Sequence, residues 1–129
     1  MWAGGFAEVG GEGVARQQAL VEACRETGFK LTGPNCIGVI NTLLPVTATF
    51  ASSLLDAEQM IRGNISMVGQ SGGMGIVSQG LAQLAGFGFR YVISSGNEAV
   101  LTTSDFIHAL AQDPETKVIA VYLEGVRDG

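Results

Sequence analysis

Apolar residues fall in short runs separated by glycine-rich and polar breaks, and their spacing alternates between the strand and helix periods. Trp2 to Ala7 is short, apolar and Gly-rich and predicts a buried strand, followed by a loop over Glu8 to Gly13. From Val14 to Thr27 the residues Val14, Leu20, Val21 and Cys24 mark one helical face, and Gly28 supplies a C-terminal stop. Phe29 to Thr32 predicts a short strand. Gly33-Pro34-Asn35-Cys36 predicts a turn, because Pro34 offers no donor and restricts its neighbour. Ile37 to Phe50 holds one or two short strands, and Ala51 to Gly63 crosses to a second unit.

That second unit is more regular. Ile65 to Val68 predicts a strand, and Met74, Val77, Leu81 and Leu84 mark one face of a helix ending at Gly86. Phe89 to Ser94 is the next strand. Thr102 and Asp105 form a capping-box start to a helix with apolar Phe106, Ile107 and Leu110, which Asp113-Pro114 ends. Lys117 to Leu123 reads as a strand buried on both faces. The β-α-β-α-β order after Gly63 predicts an α/β fold with a parallel sheet, flanking helices and right-handed crossovers.

Composition narrows the function classes. An apolar fraction of 47% over 129 residues is enough for a core. The 19 glycines cluster between apolar runs, suggesting tight turns and close backbone approaches. A net charge of −5 with seven scattered Lys and Arg argues against nucleic acid as a partner. No apolar run reaches the ~18–20 residues of a membrane span, and no secretory signal is visible. Two cysteines, Cys24 and Cys36, make no disulfide framework, which fits a reduced, cytoplasmic setting.

In an open parallel sheet, ligands bind beyond the carboxyl ends of the strands. Glu8, Asn35-Cys36, Gln70-Ser71, Asn97-Glu98 and Glu124 all stand at such predicted ends. Around Ser71, Gly69-Gln70-Ser71-Gly72-Gly73-Met74-Gly75 is a strand-to-helix turn whose backbone N–H groups and helix dipole suit an anion. The same residues are open to two other readings: a plain turn with Ser71 as N-cap, or the G-x-S-x-G nucleophile elbow of α/β-hydrolases. The elbow needs a His, and His108 falls mid-helix as a solvated residue. No P-loop, complete dinucleotide fingerprint or zinc spacing is present, so no metal site is expected. Cys36 is open to exposure at a strand end or to burial as a filler, whereas Cys24 is core. Glu124 is either a solvated strand end or a carboxylate orienting a histidine from another segment.

Several segments together resemble a known family. Gly5-Phe6-Ala7-Glu8-Val9-Gly10-Gly11-Glu12-Gly13 and Gly33-Pro34-Asn35-Cys36-Ile37-Gly38-Val39 resemble the end of the CoA-binding domain of NDP-forming acyl-CoA synthetases, relatives of the succinyl-CoA synthetase alpha subunit. Gln70-Ser71-Gly72-Gly73-Met74-Gly75, Ser95-Gly96-Asn97-Glu98-Ala99, Asp113-Pro114-Glu115-Thr116 and Tyr122-Leu123-Glu124-Gly125-Val126-Arg127-Asp128-Gly129 resemble the flavodoxin-like domain that follows it.

The resemblance implies residues 1–57 as the C-terminal half of a Rossmann-like CoA-binding domain and residues 58–129 as the N-terminal part of a flavodoxin-like domain. The family makes acyl-CoA from acid, CoA and ATP or GTP with Mg, through an acyl phosphate and a phosphohistidine. By resemblance, Ser71, Gly72, Gly73, Met74 and Gly75 bind phosphate, Glu124 is the catalytic glutamate that hydrogen-bonds the histidine, and Gly4, Gly5, Asn35 and Cys36 lie near CoA and the acyl group.

The phosphohistidine loop is expected beyond Gly129, the first βαβ unit before Trp2, and the nucleotide-binding ATP-grasp part elsewhere. The isolated chain is therefore expected to be a central fragment that needs no cofactor and does not complete the reaction alone. Unpaired sheet edges predict a homo-oligomer, or docking to the missing domains or an ATP-grasp partner. The rival expectations are a non-catalytic binding or assembly module and a flavin-binding flavodoxin-like module.

Overall fold

The computed structural model describes residues 1–44, 46–51 and 60–126. After a 3-10 turn, Ala7–Val9, come α1 (Glu12–Thr27), β1 (Gly38–Asn41), β2 (Val46–Thr49), β3 (Ile65–Gly69), α2 (Gly72–Leu84), β4 (Phe89–Ser94), α3 (Thr103–Ala111) and β5 (Val118–Tyr122). The strands form one sheet in the order β2-β1-β4-β3-β5. β3 pairs in parallel with β4 and with β5, as the β-α-β-α-β pattern predicts. β1 joins antiparallel to both β2 and β4, so the α/β sheet is mixed. It takes strands from both sides of position 57; that predicted boundary, and most of the crossing segment, lie outside the described residues.

Helix ends follow local chemistry. Gly28 closes α1 in the left-handed region at φ 68°, which costs a residue without Cβ little. The Thr102–Asp105 capping box opens α3, each side chain taking a backbone N–H of the other. One core lies around Ile40, Met67, Ala82, Phe89 and Val92, and a second around Val68, Ile93 and Leu110, with Phe106 and Ile107 packed against it.

Five expectations fail for tertiary reasons. Trp2 to Ala7 is not a buried strand; Trp2 is 52% exposed. Its polar backbone is met locally, with Ala3 O accepting from Asn35 N at 3.0 Å and the Glu8 carboxylate accepting from Gly5 N and Phe6 N. Phe29 to Thr32 stays outside the sheet, held by a bond from Leu101 N to Leu31 O of 3.0 Å. Of the expected α1 face only Cys24 is buried, beside Gly13 and Gln17, while Val14 and Val21 are exposed. In α2 the apolar stripe Met74, Val77, Leu81 and Leu84 faces outward, and Gly75, Gln79 and Ala82 face inward. Small residues let this helix lie close to the sheet: a Cβ on Gly75 would stand 3.1 Å from Val92 Cγ1. Finally, β5 is the sheet edge, so Val118 and Val121 are exposed instead of buried on both faces.

Candidate functional site

The three parallel strands end on one side of the sheet, and each delivers polar residues there. β3 delivers Gln70, β4 delivers Gly96 and Asn97, and β5 delivers Glu124 and Gly125. With Ala7, Glu8 and Val126 these residues line a cleft of about 330 Å³. Four of the residues picked out at strand ends, Glu8, Gln70, Asn97 and Glu124, thus share one cavity. Glu8 arrives from the 3-10 turn after the failed strand, not from a strand end.

The turn that carries Pro34 docks directly on the β4 end. Asn97 N donates to Pro34 O at 2.9 Å and Ala99 N to Gly33 O at 3.0 Å, across a cis Gly33-Pro34 bond. Asn35 is thereby brought over the cleft rim, where its Nδ2 donates to Asn97 Oδ1 at 3.3 Å. Gly4 sits in the same corner: a Cβ there would be 3.2 Å from Glu8 Oε1 and 3.7 Å from Asn35 Oδ1. Gly5 is adjacent and gives its N–H to Glu8. Cys36 is not part of this group. It is 4% exposed, with its Sγ 3.4 Å from Met1 O and 3.8 Å from Thr32 O.

Hydrogen bonds set the charge of the carboxylates. The Asn97 side-chain amide, aided by the backbone N–H groups of Glu8, Gly5 and Phe6, holds the Glu8 carboxyl down at about 2 against the opposing push of desolvation. At Glu98 burial pushes upward most strongly, but hydrogen bonds from Thr103, Ser95 and Gln70 outweigh it and the carboxyl lies below its ordinary value. Glu98 points into the protein, accepting from Ser95 Oγ at 2.8 Å and Thr103 N at 2.9 Å, and so braces the start of α3.

At the α2 start, Ser71 is the N-cap, its Oγ accepting from Met74 N at 3.4 Å, while Gly75 N donates to Ser71 O at 3.4 Å. The N–H groups of Gly72 and Gly73 have no acceptor among the described residues. Gly73 is exposed and a Cβ there would meet only Ser71 Oγ, at 3.9 Å, so an anion can reach this backbone. His108 is exposed on α3 with its Nε2 2.7 Å from Gln112 Nε2, so it offers no base to Ser71. Among the described residues no group of three or more His, Cys, Asp or Glu could hold a metal ion, and no helix is long and apolar enough to cross a membrane.

Gln17 was not anticipated. It is 6% exposed, and its Oε1 accepts from Ala7 N at 3.2 Å and Asn97 Nδ2 at 3.0 Å. Its position four residues after Gly13 and seven before Cys24, the other buried positions of α1, is the signal that would have found it.

Known proteins resemble this chain in sequence and fold. The family described as succinyl-CoA ligase like flavodoxin domain matches residues 62–129. An ADP-forming acetate–CoA ligase I of Archaeoglobus fulgidus is 42% identical over 97% of this chain, which spans 18% of that protein. The alpha subunit of an ADP-forming acetate–CoA ligase I of Pyrococcus furiosus is 36% identical over 97% of the chain, which spans 26% of it. A dinucleotide-forming acetyl-coenzyme A synthetase 1 of Ca. Korarchaeum cryptofilum, solved with phosphate and ADP, superposes with a TM-score of 0.87 at 31% identity, over 100% of this chain and 26% of that one. The chain thus spans about a fifth to a quarter of its relatives' length, and by its sequence and its flavodoxin-like fold it belongs to the succinyl-CoA ligase-like family of NDP-forming acyl-CoA synthetases.

Proposed function

We propose that this chain forms the phosphoryl-relay portion of an acid–CoA ligase, in which acid, CoA and ATP or GTP give acyl-CoA, nucleoside diphosphate and phosphate. The carrying observation is the pairing of two unlike half-sites at the strand ends. The cleft presents Glu8 and Glu124, which suits a hydrogen-bond donor such as an imidazole N–H and repels phosphate. The α2 start next to it offers the N–H groups of Gly72 and Gly73, which suits an anion. A phosphorylated histidine from another segment carries both chemistries: Glu124 accepts from its ring, and the Ser71–Gly75 turn holds its phosphate.

Gly4, Gly5 and Asn35 border the cleft where CoA and its acyl group would approach, with Cys36 beneath them. Residues 1–57 then act as the end of a CoA-binding domain and residues 58–129 as the start of the flavodoxin-like domain, a division that the match from residue 62 supports. The nucleotide and its Mg belong, in this reading, to the ATP-grasp partner. The setting in this reading is cytoplasmic, in keeping with two free, unpaired cysteines. The outward α2 stripe, with Val77 56% and Leu81 61% exposed, supports assembly with a second copy or the ATP-grasp partner.

The test combines turnover and anion binding. Purified chain mixed with acetate, CoA and ATP is expected to form no acyl-CoA, and turnover would overturn the relay-only role. Titration with inorganic phosphate is expected to move the amide resonances of Gly72 and Gly73, and shifts confined to other residues would overturn the half-site assignment.

A further inference from the structure

Glu124 lies at the end of an exposed edge strand, where a side chain is poorly fixed unless something ties the backbone down. The tie is a single side chain from the neighbouring strand. Gln70 Oε1 accepts from Glu124 N at 2.8 Å and from Gly125 N at 3.0 Å, and Gln70 Nε2 donates to Gly125 O at 2.9 Å. Gln70's own backbone N–H is bonded to Tyr122 O at 3.1 Å, so the amide continues the β3–β5 ladder beyond the last backbone pair. The clamp reads the backbone of residues 124 and 125 and leaves the Glu124 carboxylate free to face the cleft.

We infer that Gln70 is a positioning residue for Glu124, fixing the β5 end through these three bonds so that the carboxylate meets an imidazole N–H in the cleft. The inference rests on the reading of Glu124 as the acceptor for a histidine ring. An amide is the side chain that can do this, because it brings an acceptor for two N–H groups and a donor for one carbonyl. Glutamate at the position would keep the acceptor and lose the donor, to Gly125 O and to Glu98 alike, and methionine would keep the length and lose both. The Ser71 turn begins one residue later but uses separate contacts, the bonds to Met74 N and Gly75 N, so anion binding there is independent of the clamp.

The experiment uses the whole chain with imidazole as the probe, followed by NMR on the Glu124 side chain, with phosphate binding at Gly72 and Gly73 measured in parallel. Wild type is expected to bind imidazole, Glu124→Gln to lose it, and Gln70→Met to weaken it by about tenfold, the scale of a lost hydrogen bond or two, while phosphate affinity stays within about twofold. Gln70→Glu is expected to recover part of the loss, which a role in stability alone would not produce. Amide exchange at Glu124 and Gly125 should rise in Gln70→Met in step with the loss. If Glu124→Gln binds imidazole as well as wild type does, or wild type binds none, the Glu124 reading fails and the inference with it. If Glu124→Gln loses binding but Gln70→Met and Gln70→Glu keep it, the clamp is overturned while the Glu124 reading stands. Should Gln70→Met not fold, the comparison of Gln70→Glu with wild type decides: unchanged imidazole affinity and amide exchange overturn the clamp, and an intermediate loss supports it.

Discussion

The side-chain amide of Asn97 donates to the carboxylate of Glu8, 89 residues away in the chain, and so ties the turn after the N-terminal segment to the end of β4. Asn97 also donates to Gln17 Oε1 and accepts from Asn35 Nδ2, which makes it the junction of three segments that share no strand pairing.

Asn97→Ala is therefore expected to release Glu8. Its carboxyl should rise from about 2 toward the ordinary carboxylate range, read by the pH dependence of the Glu8 side-chain carbon resonance. The sign follows from linkage: a carboxyl held low in the folded state adds stability that is present above its unfolded value and is lost as pH falls through the folded one. Wild type should thus lose this contribution between about pH 4.5 and pH 2, and the variant should show a shallower fall in urea midpoint over that window. Equal slopes would contradict the pairing.

Gly72 and Gly73 are expected to respond oppositely to alanine. A Cβ on Gly72 would stand 2.6 Å from Ile37 Cβ and 2.7 Å from Ile37 Cγ2, so Gly72→Ala must displace a packed side chain and should destabilise by roughly 1–3 kcal/mol. Gly73 has open space, and Gly73→Ala should be neutral or add up to about 1 kcal/mol through helix propensity. Urea denaturation of the two variants checks the contrast.

Gln79 is fully buried, and neither its Oε1 nor its Nε2 has a hydrogen-bond partner among the described residues. A buried amide left unpaired carries its whole desolvation cost, so Gln79→Met, of similar length, should raise stability by about 1 kcal/mol or more. A loss of stability on thermal or urea unfolding would show that the amide has a partner in solution.

Both cysteines are free and buried, Cys24 at 7% and Cys36 at 4% exposure. Neither thiol should react with a disulfide reagent in the native protein, and both should react once urea passes the unfolding midpoint. Fast native labelling of Cys36 would place it at the open strand end and restore its direct contact with an acyl group.

The local features were legible in the sequence because their causes are local. The Thr102–Asp105 box, the Gly28 stop, the Ser71 cap and the short apolar runs of β3 and β4 depend on neighbours within a turn or a strand. The gathering of Gln70, Asn97 and Glu124 was also legible, since residues beyond parallel strands share one side of a sheet, whereas Glu8 joins them from the 3-10 turn. Which apolar face of a helix turns inward was not. In α2 the large residues Val77, Leu81 and Leu84 point away because the sheet admits a close approach only through Gly75 and Ala82. Nor could a local pattern show that Trp2 to Ala7 finds no strand to pair with, that β1 enters the sheet antiparallel, or that Val118 and Val121 lie on an edge. Those outcomes depend on the space and hydrogen-bond partners that distant segments leave. The sequence by itself thus determined the element types after Gly63, the caps of their helices and the side of the sheet on which chemistry gathers. Only the tertiary structure decided that Cys36 is buried, that Gln17 joins the site, and that Gln70 reaches across to hold the strand end bearing Glu124.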